Sequence, residues 1–277
     1  MNPAVADIRE RREEVDGLQV LWREADPPSG VAPTLYVHGV PNSSDLWEGF
    51  LGRTGGVALD LPGFGRSDKP ADFDYSIAGY DRFLGNFLDH VGLERFSLVV
   101  HDWGVVGLAA AQRLHERLER LVVFVSVPLF PDYRWHRIAR AWRTPLAGEL
   151  MMGFTTRLGF KLASREANIK PGPLPDEFID AFYRHFDHGT QRAILKLYRA
   201  SPPEVLGRHG ERLGDVTAPA LVLWPVRDPY ISPEFGDRYA QALGNARLEM
   251  VEDCGHWMWL DRPDLIDRAA AFLTEGP

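Results

Sequence analysis

A single cysteine, Cys254, stands in a chain of 277 residues. It excludes an internal disulfide and a cysteine-based metal cluster, and it fits a reducing, cytoplasmic setting. Lysine is nearly as scarce, present only at positions 69, 161, 170 and 196, while arginine carries the remaining basic charge. No apolar run approaches the roughly 20 residues that a membrane span needs. Charge crowds the stretch from Asp7 to Asp26, so no signal peptide is expected. There is no Walker A sequence, no His-Glu-x-x-His and no Gly-x-Ser-x-Gly, which removes three common phosphate, zinc and serine chemistries. The net charge of −8, with no basic stripe interleaved with aromatics, argues against a nucleic acid partner.

What remains is the composition of a soluble globular protein, 45% hydrophobic and 25% charged, long enough to bury a large core. Short apolar runs predict strands at Leu18–Trp22, Thr34–Val37, Val57–Leu61, Phe96–Val100, Leu121–Val125, Ala220–Trp224 and Leu248–Val251. Most are apolar at every position, as parallel strands covered on both faces are. Helical periodicity lies between them, clearest from Ile77 to Val91. The alternation predicts a doubly wound, mostly parallel α/β sheet. It breaks after Pro128, where a helical, aromatic-rich stretch punctuated by prolines runs from about Phe130 to Asp215. The expected organisation is a core of residues 1–129 and 216–277 with a helical cap of residues 130–215 over the sheet's carboxyl edge.

The most informative segment is Val100-His101-Asp102-Trp103-Gly104. It closes a predicted strand and opens a predicted helix, so its turn residue is held up at the sheet's carboxyl edge. Asp102 occupies that turn, and a carboxylate there suits attack on a saturated carbon to give an alkyl ester. After the strand Thr34–Val37, a Gly-containing turn at His38-Gly39-Val40-Pro41 can aim the Val40 N–H at the same place. With the Trp103 N–H it makes an expected oxyanion hole, and both donors favour the ionised carboxylate against desolvation. Asp228-Pro229 follows a late strand, and Gly255-His256-Trp257 follows the last one. Asp228 is the expected orienting acid and His256 the general base on a hydrolytic water. Each piece alone has an ordinary structural explanation, an N-cap for Asp102 or a turn for Asp228-Pro229. Gly63-Phe64-Gly65-Arg66-Ser67-Asp68 lacks the last glycine of a dinucleotide fingerprint and reads as a strand-to-helix loop.

These segments, with Leu59-Asp60-Leu61-Pro62-Gly63-Phe64-Gly65, resemble the α/β-hydrolase superfamily, specifically its branch of epoxide hydrolases and haloalkane dehalogenases. The resemblance spans Val15 to Leu273. It implies the α/β-hydrolase fold, Asp102 as nucleophile, His256 as base, Asp228 as its partner, and no cofactor or metal. The chain departs from the branch at Val105, where many members have a second Gly, and at Pro225, where Gly is common.

Epoxide and halide leaving groups need different second groups. Resembling dehalogenases supply the indole after the nucleophile, here Trp103, and commonly an Asn inside the His-Gly-x-Pro motif, where this chain has Val40. Asn42, two residues on, is expected to cap the turn, and Trp142 either lends an indole N–H or lines the pocket. Resembling epoxide hydrolases use two cap tyrosines, one in a motif like Leu197-Tyr198-Arg199. Tyr198 matches it, and Tyr133 and Tyr183 are candidates for the second on chemistry alone. The balance favours hydrolysis of small apolar epoxides to diols with water, and no nucleic acid or membrane partner is expected. Haloalkane hydrolysis and a non-catalytic sensing or scaffold role remain the alternatives.

Overall fold

The apolar runs form all but one strand of an eight-stranded sheet in a computed structural model of the chain, which describes residues 7–169 and 172–275. Lys170 and Pro171, inside the expected cap, lie outside the described residues. The strands are β1 (Arg9–Val15), β2 (Leu18–Ala25), β3 (Thr34–Val37), β4 (Gly56–Leu59), β5 (Phe96–Asp102), β6 (Leu118–Ser126), β7 (Ala220–Pro225) and β8 (Ala246–Val251). Their spatial order is β1-β2-β4-β3-β5-β6-β7-β8. β2 pairs antiparallel with β1 and β4, and every other pairing is parallel. All residues of β3, β4, β5 and β7 are buried, which is why those runs carry no polar alternation.

The sequence pattern misses β1 because charge hides it. Arg-Glu-Arg-Arg-Glu-Glu-Val buries only its final valine and is held to β2 by cross-strand pairs such as Arg11–Glu24 at 2.9 Å. Such a charged edge also discourages a further strand from adding to the sheet.

The helices are α1 (Glu48–Thr54), α2 (Ile77–His90), α3 (Val105–Arg113), α4 (Arg137–Arg143), α5 (Ala147–Gly153), α6 (Arg157–Ala163), α7 (Asp176–Tyr183), α8 (His188–Ala200), α9 (Pro203–His209), α10 (Glu234–Ala242), α11 (Met258–Asp261) and α12 (Asp264–Thr274). α2 begins where Ser76 Oγ accepts the Gly79 N–H at 3.1 Å, and it buries Ile77, Tyr80, Leu84, Phe87 and Leu88 against the sheet. From α4 to α9 no strand intervenes, and this insertion between β6 and β7 is anchored by α8. Thr190 Oγ1 donates to the Gly63 carbonyl at 3.0 Å, and Lys69 pairs with Asp187 at 2.7 Å. A Cβ on Gly63 would lie 2.6 Å from the Ala193 methyl, so glycine there lets α8 close onto the loop. That glycine-rich loop is held from within: buried Asp60 accepts the N–H groups of Ser44 at 2.7 Å and Arg66 at 2.8 Å. Among the described residues, no helix is long and apolar enough to cross a membrane.

Candidate active site

Asp102 ends β5 with φ of 52°, a left-handed turn that few non-glycine residues adopt. The turn is as tight as its neighbours allow. A Cβ at Gly104 would lie 2.1 Å from the Val37 carbonyl oxygen, and one at Gly39 would lie 2.4 Å from Asp102 Cβ. His38 fixes the facing loop, its Nδ1–H donating to the Gly39 carbonyl at 2.8 Å while Nε2 accepts the Leu61 N–H at 3.0 Å. The Val40 N–H is thereby aimed at Asp102 and donates to Oδ1 at 2.8 Å, and the Trp103 N–H also donates to the carboxylate. Val105, the departure from a second glycine, is buried in α3 without disturbing these approaches.

Asp228 lies in the loop after β7. Its Oδ1 accepts the N–H groups of Tyr230 at 2.7 Å and Ile231 at 2.8 Å, which leaves Oδ2 to accept His256 Nδ1–H at 2.7 Å. Pro225 ends β7 in register with Val251 and does not displace this loop. His256 is held from behind: its N–H donates to the Ala167 carbonyl of the insertion at 3.1 Å, and Gly255 N–H donates to Asp261 at 3.0 Å. A Cβ on Gly255 would lie 2.2 Å from that same Ala167 oxygen. With Nδ1 giving its proton to Asp228, Nε2 is the nitrogen that faces Asp102, 3.7 Å from Oδ2.

Burial raises the Asp102 pKa above the usual carboxylate range, and His256 and the two N–H donors oppose that without cancelling it. Burial works to lower the His256 pKa, but the charge and hydrogen bond of Asp228, with the charge of Asp102, bring it above its ordinary value. Burial also pushes the Cys254 thiol, two residues from His256, up to about 12, so it offers no competing thiolate. Among the described residues, no group of His, Cys, Asp or Glu is arranged to hold a metal ion.

Asp102 and His256 open into a cavity of about 360 Å³ whose far wall comes from the insertion. Tyr198 and Trp142 line it, with their rings 5.0 Å apart edge to face. Tyr198 is buried, and burial with the nearby Asp102 charge raises its pKa well above the phenolic value. The Trp103 indole lies behind that tyrosine, edge-on to it at 5.0 Å and stacked on Trp135 at 5.5 Å. Its buried N–H leans toward the phenol without reaching hydrogen-bond geometry. The Trp142 N–H is likewise buried without a partner.

Tyr133 also lines the cavity, with its hydroxyl directed to the Tyr230 carbonyl at 3.4 Å. Tyr183 does not reach it, and its hydroxyl approaches the Thr155 carbonyl at 3.5 Å. Asn42 does not cap the turn. Ser43 Oγ takes that role by accepting the Asp45 N–H, and Asn42 Nδ2 is buried with no partner.

Sequence reasoning missed His136 and Tyr230, both in the cavity wall. Their rings lie 5.0 Å apart, and Tyr230 stands edge-on to His256 at 5.1 Å. Burial lowers the His136 pKa to about 4, so this imidazole is neutral. Tyr230 was findable, two residues beyond Asp228. His136 gave no signal beyond its place before α4.

Residues 33–263 match the model of the alpha/beta hydrolase fold family. The chain is 27% identical over 265 residues to a cis-3-alkyl-4-alkyloxetan-2-one decarboxylase of Shewanella oneidensis, covering 88% of this chain and 82% of that one. It is 27% identical over 305 residues to a haloalkane dehalogenase of Bradyrhizobium diazoefficiens, covering 98% and 95% of the two. Among solved structures it resembles an epoxide hydrolase with a TM-score of 0.80 at 20% identity, covering 96% of this chain and 98% of that one, a likeness of fold. The chain belongs to the α/β hydrolase fold family, and the relatives it resembles there include haloalkane dehalogenases.

Proposed function

We propose that this protein hydrolyses small, largely apolar epoxides to diols through an alkyl ester on Asp102, with residues 130–215 acting as a cap over the core of residues 1–129 and 216–277. The observation that carries the reading is the pairing, across one cavity, of a carboxylate with no hydroxyl nucleophile in its place and a buried phenol, Tyr198, backed by an indole N–H.

Val40 N–H holds Asp102 Oδ1, so Oδ2 is the attacking oxygen. It bonds to an epoxide carbon, the carbon–oxygen bond breaks, and Tyr198 gives its proton to the departing alkoxide. Alkylation neutralises Asp102, which removes one of the charges that raise the His256 pKa and leaves the imidazole free to accept a proton. His256 then takes a proton from water, and the resulting hydroxide attacks Asp102 Cγ. The N–H groups of Val40 and Trp103 hold the oxyanion. Collapse expels the diol and restores the carboxylate, and the proton on His256 returns to the Tyr198 oxygen. One water is consumed and no cofactor is needed.

A strained oxygen ring is common to an epoxide and to the oxetan-2-one in the name of the Shewanella relative. The second reading, halide displacement, draws on the unpartnered Trp142 N–H and on the relatives named haloalkane dehalogenases. The deciding experiment is the intact mass of His256→Gln after incubation with epoxides and haloalkanes. Without its base the protein stalls as the ester, and a gain equal to a whole epoxide is expected. A gain equal to an alkyl group with halogen lost makes it a dehalogenase. No adduct from either set removes Asp102 as nucleophile and favours a sensing or scaffold role.

A further inference from the structure

Exposed apolar side chains are concentrated in one place. Of eight large hydrophobic residues exposed among the described residues, six fall between Leu146 and Leu162, on α5, α6 and their flanks. Leu146, Leu150, Phe154, Leu158 and Leu162 are each between 51% and 79% exposed. Leu146 does so from a left-handed backbone, φ 67°, that an L residue adopts at a cost. Met151 and Phe154 belong to both this face and the cavity wall, so the apolar face borders the cavity mouth.

The charge along this stretch of the chain is equally uneven. The chain carries −8 overall, yet Arg134 to Arg165 holds seven basic residues and one acidic residue, Glu149. Arg157 and Lys161 are paired with Asp176 and Asp180 of α7, and Arg137 with Glu166. Exposed Arg134, Arg140 and Arg165 have no ion pair among the described residues. We propose that this face docks on an anionic lipid surface, its leucines and Phe154 entering the headgroup boundary and its arginines meeting the phosphates. Basic amphipathic surfaces bind such interfaces by this pair of attractions, without a membrane span. The absence of a spanning helix therefore does not bear on it. A second copy of the chain suits the face poorly, because a twofold contact would bring two basic rims together. Docked in this way, the cavity mouth opens toward the lipid, and an apolar solute dissolved there enters without crossing water. The docking itself does not depend on the reaction assigned to the cavity.

Flotation of the full chain with phosphatidylcholine vesicles, with and without about one-third phosphatidylglycerol, tests this. The chain is expected to float with the anionic vesicles and to be released by salt. Leu150→Glu, Leu158→Glu and Leu162→Glu, none of them in the cavity wall, should each cut binding at least about tenfold with melting temperature unchanged. If one fails to fold, the remaining two carry the same readout. Three outcomes overturn the proposal: no vesicle binding by the unmodified chain, binding that these substitutions leave intact, or light scattering that shows a dimer which they dissociate.

Discussion

His101 donates its Nε2–H to the backbone carbonyl of His256 at 3.0 Å, and the two imidazole rings lie 4.7 Å apart. The residue before Asp102 therefore fixes the residue that carries the proposed base. Burial holds the His101 pKa well below its ordinary value, so it is a neutral donor beside its partner. It is a positioning residue, since it acts on the reacting atoms only through His256. His101→Leu should lower kcat by about 10- to 100-fold, the range that a small misplacement of a reacting group costs, with KM little changed. His101→Gln, which keeps an N–H donor, should recover much of the loss. Equal losses in kcat and KM for both variants would show a general structural defect instead.

Asp228 is the largest influence raising the His256 pKa against burial. In the proposed mechanism His256 works as neutral imidazole, so turnover should fall as pH drops through this raised value. Asp228→Asn removes the charge, and the acid limb of the kcat/KM profile should then move to lower pH. The plateau should fall as well, by as much as about 10⁴, because Asn also disturbs the tautomer. An acid limb that stays in place would assign it to another group.

Tyr198→Phe keeps the ring packing against Trp103, Trp135 and Trp142 and removes the hydroxyl with its proton. Epoxide turnover should fall by about 10²–10⁴, the usual contribution of a positioned acid. Single-turnover kinetics should place the loss in ester formation, with ester hydrolysis unchanged. Full retention of epoxide turnover would remove Tyr198 as the acid.

The sequence made the inner strands legible because β3, β4, β5 and β7 are buried on both faces and so carry uninterrupted apolar runs. β1 was illegible for the opposite reason, since it is an exposed edge strand with almost wholly charged side chains, held by its backbone ladder to β2. Asp102, Asp228 and His256 could be picked out as a candidate set because each stands at or soon after a strand end, and strand ends converge at one sheet edge. The cavity wall was legible only in part. Tyr133, Trp142 and Tyr198 could be named for it, whereas Trp135 and His136 enter it from the loop before α4 through tertiary packing, which short-range patterns do not encode. Asn42 misled for a similar reason: nothing local distinguishes it from Ser43 as the residue that caps the turn.

Asp60 and Arg66 predict how the fold responds to acid. Burial would raise the Asp60 pKa, but the Arg66 guanidinium and N–H donors from the loop hold it below the ordinary carboxylate value. A carboxylate depressed in the folded state stabilises above its unfolded pKa, and that contribution is lost as pH falls through the folded value. Melting temperature should therefore fall with acidification below about pH 4, and the slope there should be smaller in Asp60→Asn. That variant should also lose about 1–3 kcal/mol at neutral pH, because loop N–H donors lose a charged acceptor while Arg66 keeps Asp45 and Glu10.

Gly39→Ala tests whether the elbow depends on close approach. The added methyl would lie 2.4 Å from both Asp102 Cβ and Oδ1, and neither atom belongs to a flexible chain end. Either the His38–Pro41 loop retreats or the Asp102 side chain turns. The first lengthens the Val40 N–H contact, now 2.8 Å, and the second moves Oδ2 away from His256. Overpacking of this kind costs about 1–3 kcal/mol, so thermal unfolding should show a modest loss. Turnover should fall far more than stability, by at least about 10²-fold, since both routes misalign the attacking oxygen. Gly153→Ala is the control: its Cβ meets nothing within 4 Å, and neither stability nor turnover should drop. Near-normal turnover in Gly39→Ala would mean that the elbow tolerates a wider gap and that the Val40 N–H is not the donor that holds Asp102.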